Sequence, residues 1–203
     1  MRKNKLTDRQ KQAIATHQKI YKTALRLFQK EGFDRVTVDE ICEKAGVSKG
    51  TFYIYFASKE QVVLDLFSMA DKIYDDFLAE ELAAVDNPLD KMLLLGRKAL
   101  NYIKDMGIDV IQVTYRTRIS FNKAVNSGAY ENRSLYQIVE GLVEDALARG
   151  FIREDLTADD ITRLVLRCLT GVVYDWCVAK GNFELVNEGE KAFRVLLRGL
   201  RPE

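Results

Sequence analysis

Residues 37–56 read TVDEICEKAGVSKGTFYIYF, from Thr37 to Phe56, and this stretch decides the fold. Thr37 followed three positions later by Glu40 fits a capping box: the hydroxyl takes an N3 amide and the carboxylate reaches back. The helix it opens is short, because Ala45-Gly46 offers a stop and Gly46 can take the left-handed conformation that a tight turn needs. Ser48 then caps a second short helix running to Phe56. Two short helices around a glycine turn make a helix-turn-helix. Val38, Ile41, Ala45, Val47, Phe52 and Phe56 supply a small core that fixes the angle between them. Ser48, Lys49, Gly50, Thr51, Tyr53 and Tyr55 are left outside it. Short hydroxyls, a lysine and tyrosines suit base edges and phosphate oxygens, and Gly50 would let backbone approach a duplex closely.

Working outward, the rest of the chain also reads as helices. Thr7 can cap a helix from about Asp8 to Glu31, stopped by Gly32, with Ile20, Ala24, Leu27 and Phe28 as its apolar stripe. Ser58-Lys59-Glu60-Gln61 is a further capping box, opening a long helix to about Ala84. Asn87-Pro88 is a cap with proline at N1, for a helix over 88–105. Gly107 precedes another over 108–123. Asn126-Ser127-Gly128 breaks the chain before a helix over 129–149. Thr157 with Asp160 caps one to Lys180, ended by Gly181, and the last covers about 186–200. That gives about nine helices and no convincing strand.

Composition agrees. Gly and Pro together are 14 of 203 residues, about 7% where roughly 12% is usual, while 47% of the chain is apolar and 30% charged. These figures describe a soluble helical protein and exclude disordered, collagenous and disulfide-scaffold classes. The longest uncharged run, Gly50 to Ser58, is nine residues. A membrane helix needs about 20, so no membrane partner is expected, and no apolar run behind the basic N-terminus suggests a signal peptide. Cys42, Cys168 and Cys177 are read as reduced core thiols of a cytoplasmic protein. Charge is uneven: residues 1–60 hold 13 Lys and Arg against 7 Asp and Glu, net +6, and the remaining 143 hold 18 against 23, net −5. A basic head on an acidic body is a nucleic-acid footprint. Arg2, Lys3, Lys5, Arg9 and Lys11 form either a DNA-contacting arm or a solvated tail.

Catalysis has little to work with. His17 is the single histidine; it projects within the first helix's apolar stripe and reads as a satisfied, half-buried residue. No histidine cluster could hold a metal, no Ser-His or Cys-His arrangement is brought together, and Gly46 to Thr51 lacks the order of a phosphate loop. The expectation is a protein that is not an enzyme and uses no metal or cofactor.

These residues carry a specific resemblance. Phe28-Gln29-Lys30-Glu31-Gly32-Phe33, Thr37-Val38, Ile41 through Tyr53, Tyr55-Phe56 and Ser58-Lys59-Glu60 resemble the TetR (tetracycline-repressor) family of transcriptional regulators over about 50 residues. Cys42 departs from it, standing where the family usually has alanine. The resemblance implies an all-α protein with a helix-turn-helix DNA-binding domain (1–72) and a helical ligand-binding and dimerisation domain (73–203). It implies that Thr37 and Lys59 touch phosphates, that Lys49, Gly50, Thr51 and Tyr53 face the major groove, and that Tyr55 lies near the DNA backbone. It also implies a homodimer, with the last two helices pairing as a four-helix bundle. Ile54, at a variable family position, would bear on operator choice.

Periodicity adds detail in the body. On the 158–180 helix, Ile161, Val165, Cys168, Val172 and Trp176 share one face, with Leu166, Thr170, Val173 and Cys177 roughly opposite. Such a helix must be covered twice. Val186, Phe193, Leu196, Leu197 and Leu200 stripe the last helix. The 108–123 helix is apolar almost all round, and Arg118 and Asn122 fall on the side of Ile111, Tyr115 and Ile119. A guanidinium there needs a partner: either a structural ion pair, with Asp175 as a candidate, or the carboxylate or carbonyl of a small ligand. In the second case Tyr115, Arg118, Phe121, Asn122 and Trp176 would form the effector site, with Met92, Tyr102 and Met106 as further walls. The function expected is a cytoplasmic, nucleoid-associated repressor released from an inverted-repeat operator by a small-molecule effector. The alternative is a constitutive helix-turn-helix DNA-binding protein without one.

Overall fold

Every N-cap expected from the sequence forms. In the computed structural model, which describes residues 7–65, 81–120 and 134–202 but not the side chains of 118–120, the hydroxyls of Thr7, Thr37, Ser48, Ser58 and Thr157 and the amide oxygen of Asn87 each accept a first-turn amide. Each satisfies a donor the helix cannot satisfy itself. The helices are α1 Asp8–Glu31, α2 Val38–Ala45, α3 Lys49–Tyr55, α4 Lys59–Leu64, α5 Pro88–Met106, α6 Ile108–Ser120, α7 Ser134–Ala148, α8 Ala158–Val178 and α9 Leu185–Gly199. Residues 81–83 are also helical, and no strand occurs among the described residues. At Ser58 only half of the expected box closes: the Gln61 side chain turns away and donates to Asp65 Oδ1 at 3.3 Å. The 72/73 domain boundary, the long helix past Asp65 and the Asn126-Gly128 break fall outside the described residues.

Two apolar cores result. The head core collects α1 to α4 around Ile20, Ala24, Phe28, Ile41, Ala45, Phe52, Phe56 and Val62, all without exposed surface. Burying each of the three phenylalanines stabilises the head by roughly 1.5–3 kcal/mol. Gly46 closes α2 at φ 60°, and Val47 N–H donates to Cys42 O at 3.0 Å. His17 is half-buried as expected: its ring stacks on Phe56 at 4.7 Å, and Nε2 lies 3.1 Å from Asp65 Oδ2.

The body core packs α5, α7, α8 and α9. Glycine lets α5 and α9 approach closely. A Cβ on Gly189 would stand 2.3 Å from Leu100 Cδ1, and one on Gly96 would stand 3.2 Å from the Phe193 ring. Helix α8 is buried on two sides, through Ile161, Val165 and Trp176 and through Leu166, Val173 and Cys177. Burial raises all three thiols, Cys177 to about 11, which keeps them unreactive.

Helix α6 joins the two cores, which explains why it carries apolar residues on two sides, while Asp109, Gln112 and Arg116 border an open cleft. Val110 and Val113 lie in the head core, Ile111 lies in the body core, and Met106 just before it touches both. On the body side Gln112 Nε2 donates to Cys177 O at 2.7 Å, and Tyr115 donates to Thr170 O at 3.1 Å.

Candidate nucleic-acid interface and effector cavity

Phe52 and Phe56 pin one face of α3 into the head core, so the other face is presented outward. Tyr53 is 54% exposed and Ile54 78% exposed. Ser48, Lys49 and Gly50 are exposed with them, and Thr51 is half-buried with Oγ1 2.9 Å from Ser48 Oγ. Among the described residues nothing demands glycine at 50, where a Cβ would meet only Ser48 Oγ at 3.7 Å. The bare backbone leaves room for a phosphate or a base edge.

Four residues differ from the simplest expectation. Lys49 Nζ is not free: it lies 2.6 Å from Asp39 Oδ1 on α2. Tyr55 is half-buried against the head core, its ring edge-on to His17 at 5.9 Å. Thr37 is exposed, but its hydroxyl and amide are engaged by Glu40, whose carboxyl those bonds hold below its usual range. Lys59 departs furthest. Its Nζ donates to the carbonyls of Phe33 and Val36 at 2.9 Å and of Asp34 at 3.4 Å, and it sits over the Phe33 ring at 4.4 Å. An ammonium has three donors, and here all three hold the α1–α2 turn. Lys59 is a buckle in this structure rather than a free phosphate ligand. The N-terminal arm also changes character: residues 8–11 are already helix, and residues 1–6 lie outside the described residues.

The body contains a small gap of about 10 Å³ between α5, α7, α8 and α9. Met92, Leu95, Gly96 and Ala99 of α5, Leu135 and Val139 of α7, Val165, Leu166 and Leu169 of α8 and Phe193 of α9 line it. Among the described residues every wall is apolar. Of the walls expected from sequence, Met92 is there. Tyr115 and Trp176 are not: the Tyr115 hydroxyl is taken up by Thr170 O, and Trp176 is packed in the body core near Gly181. Phe121, Asn122 and the side chain of Arg118 lie outside the described residues. The missed walls Leu95, Gly96 and Ala99 do carry a signal, since they recur with Met92 at helical spacing, but that spacing also describes plain core. A second, open cleft of about 340 Å³ separates the α1–α2 turn from α6, bordered by Glu31, Asp34, Arg35, Asp109, Gln112 and Arg116.

Among the described residues no helix is long and apolar enough to cross a membrane, and no group of three or more His, Cys, Asp or Glu could hold a metal ion.

Known proteins share this arrangement. The fatty acid metabolism regulator protein of Bacillus subtilis is 20% identical over 193 residues, 94% of this chain and 98% of that protein. Thermus thermophilus FadR, a TetR-family repressor solved with lauroyl-CoA, superposes with a TM-score of 0.74 at 24% identity, covering 92% of this chain and 96% of that one. Bacillus subtilis FadR, solved with stearoyl-CoA, gives a TM-score of 0.69 at 20% identity over 91% and 100% of the two chains. Residues 20–66 match the family described as bacterial regulatory proteins, tetR family, and residues 78–199, more than half of the chain, match the C-terminal region of YsiA-like proteins. The chain belongs to the TetR family of bacterial transcriptional regulators.

Proposed function

We propose that this protein is a cytoplasmic, nucleoid-associated repressor that binds an inverted-repeat operator as a homodimer and is released by a long-chain acyl thioester. It works by binding and not by catalysis. The observation that carries the effector class is the gap between α5, α7, α8 and α9, whose walls among the described residues are all hydrocarbon. A wall without a polar group suits an unbranched alkyl chain and rejects a polar ligand, whose groups would be left unpaired. Two relatives of this fold are described with lauroyl-CoA and stearoyl-CoA. Ligand pockets commonly measure roughly 300–1,000 Å³, so an entering chain must part these helices. Phe193, resting on Gly96, is the side chain it would displace.

At the operator, Ser48, Lys49, Gly50, Thr51, Tyr53 and Ile54 would enter the major groove, with Thr37 and Tyr55 at its phosphate rims. The dimer would form through α8 and α9, where Tyr174, Val178 and Val195 stand 53%, 61% and 70% exposed. A two-fold dimer reads a palindrome. Calorimetric titration with acyl-CoAs of 8 to 18 carbons tests the effector class. Affinity should rise with chain length and vanish for CoA alone. Equal affinity for CoA and stearoyl-CoA would remove the apolar gap from the account.

A further inference from the structure

We infer that Gln29 couples the effector cavity to the DNA-binding head by capping the last carbonyls of α5, an inference that rests on the ligand-release reading above. Gln29 belongs to α1, next to Phe28, which is fully buried in the head core. Its Nε2 donates to the carbonyls of Asp105 at 2.9 Å and Met106 at 3.2 Å. Those are the last two residues of α5, which ends against Gly107. Carbonyls in the last turn of a helix have no intrahelical partner, and here a side chain from the other core supplies donors to two of them.

The same helix forms one wall of the cavity. Met92, Leu95, Gly96 and Ala99 line the gap, and Ala99 lies about 10 Å along the axis from Met106 at 1.5 Å per residue. A helix is stiff over that length, so a displacement of its lining face reaches its capped end. Through Gln29 the displacement reaches α1, on which α2 and α3 are packed. Head and body also meet where Tyr21 of α1 lies against Tyr102 of α5 and where Arg116 and Asp34, both highly exposed, stand 3.5 Å apart; among the described residues neither contact donates to the terminal carbonyls of α5. Gln29 is a positioning residue: it lies on α1, outside both α3 and the lining of the gap.

The test uses the full-length protein, an operator duplex selected from random DNA, and stearoyl-CoA. Its readout is the ratio of operator affinities without and with saturating stearoyl-CoA. Gln29→Glu is close to isosteric but turns an acceptor toward two carbonyls, whereas Gln29→Lys restores donors at a helix C-terminus that favours a cation. Gln29→Glu should lower the ratio more than threefold, while operator affinity without ligand and stearoyl-CoA affinity for the free protein each stay within threefold. Gln29→Lys should return the ratio to within threefold of the parent. A Gln29→Glu ratio within threefold of the parent overturns the inference.

If stearoyl-CoA does not release the parent at all, the effector class is what has failed, and a second arm judges Gln29 without any ligand. Gly96→Ala sets a methyl against the Phe193 ring and pushes the cavity wall of α5. It should change operator affinity at least threefold in the parent and less than threefold in the Gln29→Glu background. The same change in both backgrounds, or no change in either, overturns the inference.

Discussion

Lys49 Nζ and Asp39 Oδ1 lie 2.6 Å apart, so the only lysine on α3 is held by a carboxylate of the preceding helix. Both side chains are more than half exposed, and such pairs contribute about 0–1 kcal/mol to stability. Their effect belongs to binding. Asp39→Asn should leave the melting temperature within a degree or two and tighten operator binding several-fold at low salt, because it frees Lys49 and removes a charge that repels phosphate. Lys49→Ala should weaken binding and reduce the slope of log affinity against log salt by about one per subunit. Anisotropy titrations at four salt concentrations check both.

Lys59 should behave in the opposite way. With its ammonium shared by three main-chain carbonyls of the α1–α2 turn, Lys59→Met removes the buckle and leaves those carbonyls to water or unpaired. Hydrogen bonds to a charged group are worth about 1.5–3 kcal/mol. Thermal unfolding of the head should fall by an amount in that range, with the salt slope of operator binding unchanged. An unaltered melting curve with a reduced salt slope would return Lys59 to the phosphates.

Glu190 accepts from Arg97 Nε at 2.9 Å and Arg97 Nη2 at 2.8 Å, and Arg194 donates to the same carboxylate. Hydrogen bonding to these guanidiniums, Arg97 first, holds the Glu190 carboxyl below its usual range. A carboxylate with a depressed folded pKa contributes stability that is present above its unfolded value of about 4.3 and is lost as pH falls through the folded one. Melting temperature should therefore drop on acidification below about pH 4.5. Glu190→Gln should shallow that drop, measured by calorimetry from pH 3 to pH 7.

The gap can be filled from within. Leu135→Phe, at its α7 wall, adds volume where an alkyl chain would lie. Overpacking typically costs about 1–3 kcal/mol, so the protein should remain folded and bind operator like the parent. Its affinity for stearoyl-CoA should fall at least tenfold by calorimetry, and unchanged affinity would place the chain elsewhere.

Dimerisation should depend on the outward faces of α8 and α9. Val178→Arg with Val195→Asp places unlike charges on two exposed apolar positions, and sedimentation should then report a monomer. Truncation before Glu184 should give a monomer or an aggregate, since it also strips Leu185, Phe193 and Leu197 from the body core.

Local signals were legible from residue types alone. A cap followed by its N3 partner located the starts of α2, α4 and α8, Thr7 alone that of α1, Asn87 with proline at N1 that of α5, and Gly46 the turn, because those interactions involve neighbours in sequence. Contacts between distant segments were not. Lys59 looks like any surface lysine until the carbonyls of residues 33, 34 and 36 are folded against it. Val110 and Val113 have the same periodicity as Ile111, yet they serve a different core. The effector residues expected around Tyr115 and Trp176 followed from polar groups on an apolar face. Tyr115 instead donates to a main-chain carbonyl, and the gap opens where four apolar helices fail to meet completely.

The central claim is that operator binding and an acyl thioester compete for the shape of one dimer. Titrating the protein into a fluorescent duplex selected from random DNA, with and without saturating stearoyl-CoA, tests it most directly. The account predicts an inverted-repeat sequence, one dimer per duplex, and an apparent Kd at least tenfold weaker in the presence of stearoyl-CoA. Selection that enriches no sequence, or a Kd that stearoyl-CoA leaves unchanged while calorimetry shows it bound, would contradict it.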